Sequence, residues 1–421
     1  MDSAEHTITC HGQSFVSWHR LPRELQFHIL SLVACCQGST SHVEPSSEVT
    51  KRHVGQLAKC AAVCRNWQGY FENILFRKVT VHQKDLARLH KISNCRTERI
   101  QHLWLRIELL PYDCRICREF GHANDRKDGR IFEKALRNLF RVLHRWKGRN
   151  PSHTSGGLTL EISVHSPSDS QHEFQNISFD DDNNNDEGAD VCTIDDPKHG
   201  WVDGRRTRQP DEMAVYDLFD LWEPLDTQPE NVEWSAPVVK HLLIRRQTRR
   251  HFSQATLSRL LKRLPRLESL NMEFWRMFSG EEQSWWDDDI TKLLKSHLPR
   301  RVQRVTLFED FDEDLDSMFA RDGFDQVEFI RSPSPALGAA LAGLRNQKTL
   351  HVSFIVDAYD FFDELRHYRH DRAWRNLTHL SMTSILLRPQ TCLSQIQRLL
   401  MMAASATHRF PNLEVLELCA E

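Results

Sequence analysis

The 421-residue chain has no run approaching the roughly 20 apolar residues that crossing a bilayer takes. Its opening, MDSAEHTITCHGQSF, lacks the basic and apolar regions of a secretory leader. Both absences point to a soluble protein of the cytoplasm and/or nucleus, with no membrane partner. Charge of one sign is missing too. Against 55 Lys and Arg stand 58 Asp and Glu, a net of −3, so no overall field would hold nucleic acid. There is no Gly-rich phosphate loop, G-x-S-x-G elbow or H-E-x-x-H pair. The expectation is a non-catalytic chain that takes no cofactor and works through protein surfaces. Eleven cysteines, an odd number without a framework spacing, fit reduced thiols better than disulfides.

What is present begins with LPRELQFHILSLV and, after a polar insert, LAKCAAVCRNWQGYFENILFRKVTV. Pro22 suits a first helical position, where its missing N–H would be unpaired anyway, and Leu25, Ile29 and Val33 form one apolar stripe. Leu57, Ala61 and Cys64 form a second, and Trp67, Phe71, Ile74 and Leu75 a third. Three short helices are predicted over residues 18–76, behind a flexible start at 1–17. The polar insert 34–54 is tolerable because loop-closure entropy grows slowly with length. Periodicity alone also fits a plain helical cap on whatever follows.

The joint spacing of Leu21-Pro22, Leu25, Ile29-Leu30, Val63-Cys64-Arg65, Trp67 and Leu75-Phe76 resembles the F-box, although the link between the first two helices is longer and more polar than usual. F-box proteins dock on the small adaptor of an SCF-type cullin-RING ubiquitin ligase and present a bound protein for ubiquitin-dependent proteolysis. The resemblance therefore implies a substrate receptor without a catalytic residue. It implies adaptor contacts at Leu21, Pro22, Leu25, Ile29, Leu30, Leu57, Val63, Cys64 and Trp67. The alternative is an F-box scaffold that works with the adaptor outside the ligase.

Downstream, a motif of the form apolar-x-x-apolar-x-apolar returns at Ile100-Leu103-Leu105, Val239-Leu242-Ile244, Leu267-Leu270-Met272, Val302-Val305-Leu307, Leu377-Leu380-Met382 and Leu413-Leu416-Leu418. Weaker copies surround Val79-Val81, Leu160-Ile162 and Leu350-Val352. Helical patterns lie between them, several ending in a Pro just before the next strand, as in RLPRLESLNM. Along each strand apolar and polar residues alternate, so one face should be covered and the other wet. The predicted fold class is α/β: a three-helix F-box followed by an irregular leucine-rich-repeat-like solenoid, with first repeats at 77–165 and the rest at 238–421. An ordinary doubly wound α/β domain is the competing architecture. The stretch LLPYDCRICREFGH with the helix after it also resembles a segment of fungal F-box proteins.

Between the two repeat blocks, residues 166–237 are rich in Asp, Asn, Gly and Pro, and a largely mobile excursion is expected there. Within it, DEMAVYDLFDLWE suits a docked helix and a linear binding motif equally well. The basic run RRQTRRH reads as a solvated loop. Cys114 and Cys117 have metal-ligand spacing, but without a second pair they are expected to be metal-free. Acidic clusters most simply cap helices. Aromatics beside those acids follow three successive strands, which makes Trp275, Phe278, Trp285, Trp286, Phe308, Phe311, Tyr359 and Phe361, with Asp310, Asp312, Glu313 and Asp314, the expected docking rim for a protein substrate.

Overall fold

The computed structural model describes residues 18–36, 47–92, 94–113, 125–146, 157–176, 195–219, 225–227, 234–311, 334–367 and 373–420. Two compact units emerge, the first ending at Leu75 and the second beginning at Phe76. No helix among the described residues is long and apolar enough to cross a membrane.

The first unit contains helices α1 (Arg23–Cys36), α2 (Ser47–Ala61) and α3 (Arg65–Leu75). Pro22 stands just before α1, and its carbonyl accepts the first helical bond from Gln26 N at 3.1 Å. The Gln26 side chain reaches back to the carbonyls of Trp18 and Leu21, at 3.0 and 2.9 Å, and so fixes the entry of the chain. Leu30, Leu57 and Phe71, one from each helix, make the buried centre. Trp67 packs between Trp18 and Phe71, with ring centroids 5.9 and 5.6 Å away.

The second unit is α/β, built on a nine-stranded parallel sheet whose strands lie side by side in chain order. Its strands are β1 (Lys78–His82), β2 (His102–Glu108), β3 (Leu158–His165), β6 (Val239–Ile244), β7 (Ser269–Trp275), β8 (Arg304–Asp310), β9 (Thr349–Ser353), β10 (His379–Ser384) and β11 (Val415–Ala420). A separate hairpin pairs β4 (Trp201–Val202) with β5 (Arg205–Arg206). The central residue of each sequence motif falls in one register row: Val79, Leu103, Leu160, Leu242, Leu270, Val305, Leu350, Leu380 and Leu416. Between Leu103 and Leu380 every member of that row is fully or almost fully buried. An apolar ladder of this kind keeps nine strands in one register, since a one-residue slip would turn each of these side chains to the other face.

Helices cover the apolar side. Two short ones, α4 (Leu86–Leu89) and α5 (Asn94–Thr97), precede α6 (Asp125–Arg145); α8 (Gln254–Lys262), α9 (Gly280–Ser296), α10 (Pro335–Ala342), α11 (Ala358–His367) and α12 (Leu393–Ala406) follow β6 to β10. From α8 to α12 each packs against the next. Helix α9 starts at Gly280 because Ser279 caps it, accepting from Glu282 N at 3.2 Å.

Parts of the region expected to wander are folded. Helix α7 (Glu212–Phe219) buries Val215, Leu218 and Phe219 in the main core, which realises the docked-helix reading of that stretch. Asp169 is fully buried, accepts from Ser166 N at 2.7 Å and makes a two-bond ion pair with Arg250. Most of the acidic tract, and Cys114 and Cys117, lie outside the described residues.

Candidate protein-docking surfaces

Helix α1 is apolar on two sides. Leu30 points into the three-helix centre with Val33 and Ala34 packed beside it, whereas Leu25, Ile29 and Leu32 stand 50, 37 and 49% exposed. Spaced i, i+4 and i+7, those three share one stripe. Phe27, Val54, Val63 and Ile74 are exposed in the same unit. The single stripe Leu25, Ile29, Val33 expected from the sequence is therefore split between core and surface.

Of the residues named as adaptor contacts, Pro22, Leu25, Ile29, Val63 and Cys64 are exposed, and Leu21 and Trp67 are half-buried. Leu30 and Leu57 belong instead to the unit's own core, which removes them from its surface. Sequence reading missed Phe27 and Leu32. The signal for Leu32 was there, one turn past Ile29, but the competing Val33 completes an equally good stripe.

In the second unit the polar side of the sheet carries its own rows. One runs Thr80, Trp104, Glu161, Leu243, Asn271, Thr306, His351, Ser381 and Glu417. At the β2–β3 end this face is closed over. Glu161 is 1% exposed, with His102 Nε2 at 2.7 Å on one oxygen and Arg245 Nε at 2.6 Å on the other. Trp104 donates to Ser163 Oγ at 2.8 Å, and the cations of Lys78, Arg106 and Arg245 lie 5.1 to 5.5 Å from its ring. From β7 to β11 the row is only half-buried or exposed, apart from the part taken up by neighbours.

The basic run after β6 is not a solvated loop. Arg245 holds Glu161, Arg246 pairs with Asp310 at 2.8 Å, Arg249 stacks 4.8 Å from Trp275, and Arg250 holds Asp169. His251 is buried with one ring nitrogen 3.0 Å from the Phe219 carbonyl and the other 2.9 Å from that of Trp275. Burial holds its pKa below the ordinary histidine value. The run thus stitches the end of β6 to β3, β7 and β8. Sequence reading missed this because every partner is distant in the chain.

The expected aromatic rim separates into two groups. Trp275, Phe278, Trp286 and Phe361 are buried and offer no ring to a partner. Phe219 of α7 packs edge-on against Trp275 and Phe278, at 5.3 and 5.4 Å, so the inserted helix covers them. Trp286 packs on His251 and Phe274, and Phe361 on Phe362 and Trp374. Trp285 is 62% exposed, while Phe308, Phe311 and Tyr359 are half-buried. Asp310 is engaged by Arg246; Asp312, Glu313 and Asp314 lie outside the described residues. Asp357 behaves as a helix cap, accepting from Tyr359 N at 2.7 Å.

Residues 297–420, which carry β8 to β11, match a family described only as being of unknown function, DUF6546. No curated protein matches the chain.

Proposed function

We propose that the chain is the substrate-recognition subunit of an SCF-type ubiquitin ligase. On this reading the three-helix unit is an F-box that binds the adaptor, and through it a cullin. The second unit is a leucine-rich-repeat-like solenoid that holds a protein substrate. The observation that carries the proposal is the second apolar face of α1. A helix whose Leu30 side already fills a core, yet which also exposes Leu25, Ile29 and Leu32, has a face suited to covering by another protein. The strand order supports the solenoid. A doubly wound domain reverses its order at a switch point, whereas nine strands added at one edge in chain order follow from repeats that contact only their neighbours. For the substrate, the open half of the polar sheet face, from Asn271 through His351 to Ser381, with Phe308 on the same face of β8 and Phe311 just after it, is the surface proposed.

A pull-down from cells with the proteasome blocked tests the adaptor face. Changing Leu25→Asp together with Ile29→Asp should cut adaptor recovery by about thirtyfold, a hot-spot-sized loss of roughly 2 kcal/mol. Both positions are solvent-exposed, so the unit's stability should stay nearly unchanged, unlike Leu30→Ala, which should cost about 2–5 kcal/mol. Undiminished adaptor recovery with the double variant would sink the proposal. Adaptor recovered from wild type without cullin would favour the scaffold alternative.

A further inference from the structure

A cavity of about 20 Å³ lies where the run after β6 meets the end of β7 and helices α8 and α9. It exceeds the roughly 10–15 Å³ that one water needs. Ile244, Phe252, Leu257 and Phe274 give it an apolar wall. Its polar groups divide into two sets. Both ring nitrogens of His251 face carbonyls, the Trp275 indole N–H donates to the Arg246 carbonyl at 2.7 Å, Arg250 holds Asp169, and Glu273 accepts from Arg246 N at 3.1 Å. Those are satisfied. Thr248 Oγ1 and Trp286 Nε1 are buried in the same wall, on residues 4 and 5% exposed, and neither finds a hydrogen-bond partner among the described residues.

We propose that this cavity binds a small neutral acyl group, a carbonyl oxygen with a methyl-sized apolar body, as in an acetamide. An indole N–H only donates, and a hydroxyl can turn to donate beside it, so the missing partner is an acceptor. A carbonyl oxygen has two lone pairs and can take both bonds. Buried donors without partners cost stability, which such a ligand would restore. The charge of the wall decides between a neutral and an ionised acceptor. Arg249 and Glu273 bring one charge of each sign, and Asp169 neutralises the Arg250 guanidinium. An anion would meet Glu273 with no surplus cation in the wall, whereas a methyl group suits the apolar side chains. Because His251 and Phe274 pack on the Trp286 ring, Trp286 serves through its N–H edge and not as an aromatic platform. The inference goes beyond the ligase reading and stands without it.

The test follows the indole N–H resonance of Trp286 in the full-length chain, isotope-labelled at tryptophan and titrated with N-methylacetamide or, separately, with acetate. Loss of one signal in Trp286→Phe identifies the resonance. The neutral probe should shift it saturably, and acetate should not. Thr248→Val keeps the shape of the side chain and removes only the hydroxyl, so it should fold normally and weaken the neutral probe about fivefold, the worth of one neutral hydrogen bond. Two peptides then separate the sources of the group, one acetylated at its N-terminus and one on a lysine side chain. Whichever binds more tightly than N-methylacetamide carries it, and if neither does, the ligand is a small free amide. A shift that does not saturate, an unchanged affinity in Thr248→Val, or tighter binding of acetate would overturn the assignment.

Discussion

Asp360 shows how a single residue sets a pH dependence. Its carboxyl is half-buried beside Asp357 and Asp363, and its Oδ2 has no hydrogen-bond partner. Burial first, then the two neighbouring carboxylates, push its pKa up from 3.8 to about 6. A raised carboxyl pKa means that the folded state holds the proton more tightly than the unfolded state. The penalty for ionising it is therefore absent below the ordinary value, builds as pH rises between 3.8 and about 6, and is complete above that. Asp360→Asn should stabilise the chain by about 1 kcal/mol near neutral pH, once solvent screening of a half-exposed group is allowed for. In urea titrations the gain should vanish as pH falls toward about 4. An equal gain at both ends of that range would mean that the carboxylate's charge is not the cause.

At the scale of elements, α1 and α7 use apolar surface in opposite ways. Helix α1 keeps one apolar stripe for its own core and leaves another open. Helix α7 spends its aromatic end on closing a surface, since Phe219 covers Trp275 and Phe278. If α7 is the cover, Phe219→Ala should destabilise the second unit by about 3–5 kcal/mol and raise the binding of an apolar dye, because both rings beneath lose their lid. Unchanged stability and dye binding would show that the sheet end is closed without α7.

Across the whole second unit, the apolar row aligns nine strands while buried ion pairs tie together segments far apart in the chain. The Asp169–Arg250 pair joins the turn after β3 to the loop after β6, and Arg276–Glu309 joins the end of β7 to β8, each with both side chains almost completely buried. Removing one partner strands the other charge in a low-dielectric interior. Asp169→Asn should thus lower stability by about 3–5 kcal/mol, while Asp169→Leu with Arg250→Met should cost less than the single change. Equilibrium denaturation of the two variants decides it, and a double variant worse than the single one would show that the pair's value lies in its hydrogen bonds to Ser166 and Tyr112.

The repeat pattern was legible in the sequence because strand alternation is local: Leu242, Leu270, Val305, Leu350, Leu380 and Leu416 were readable as motif centres, and they meet in one row. The three helices of the first unit were legible for the same reason, through periodicity and a proline at the start of the first. What only tertiary structure decided was which apolar side chains are used up. Phe361 and Trp275 look as available as Trp285 in the sequence, and a docked helix or a neighbouring ring removes them. RRQTRRH looks solvated until Glu161, Asp169 and Asp310 arrive from 60 or more residues away. The contact between the His172 and His199 rings has no local signal either, since it depends on where two turns of the region between the repeat blocks fold against each other. Local patterning records what each residue prefers, and long-range contact decides which preferences are already met.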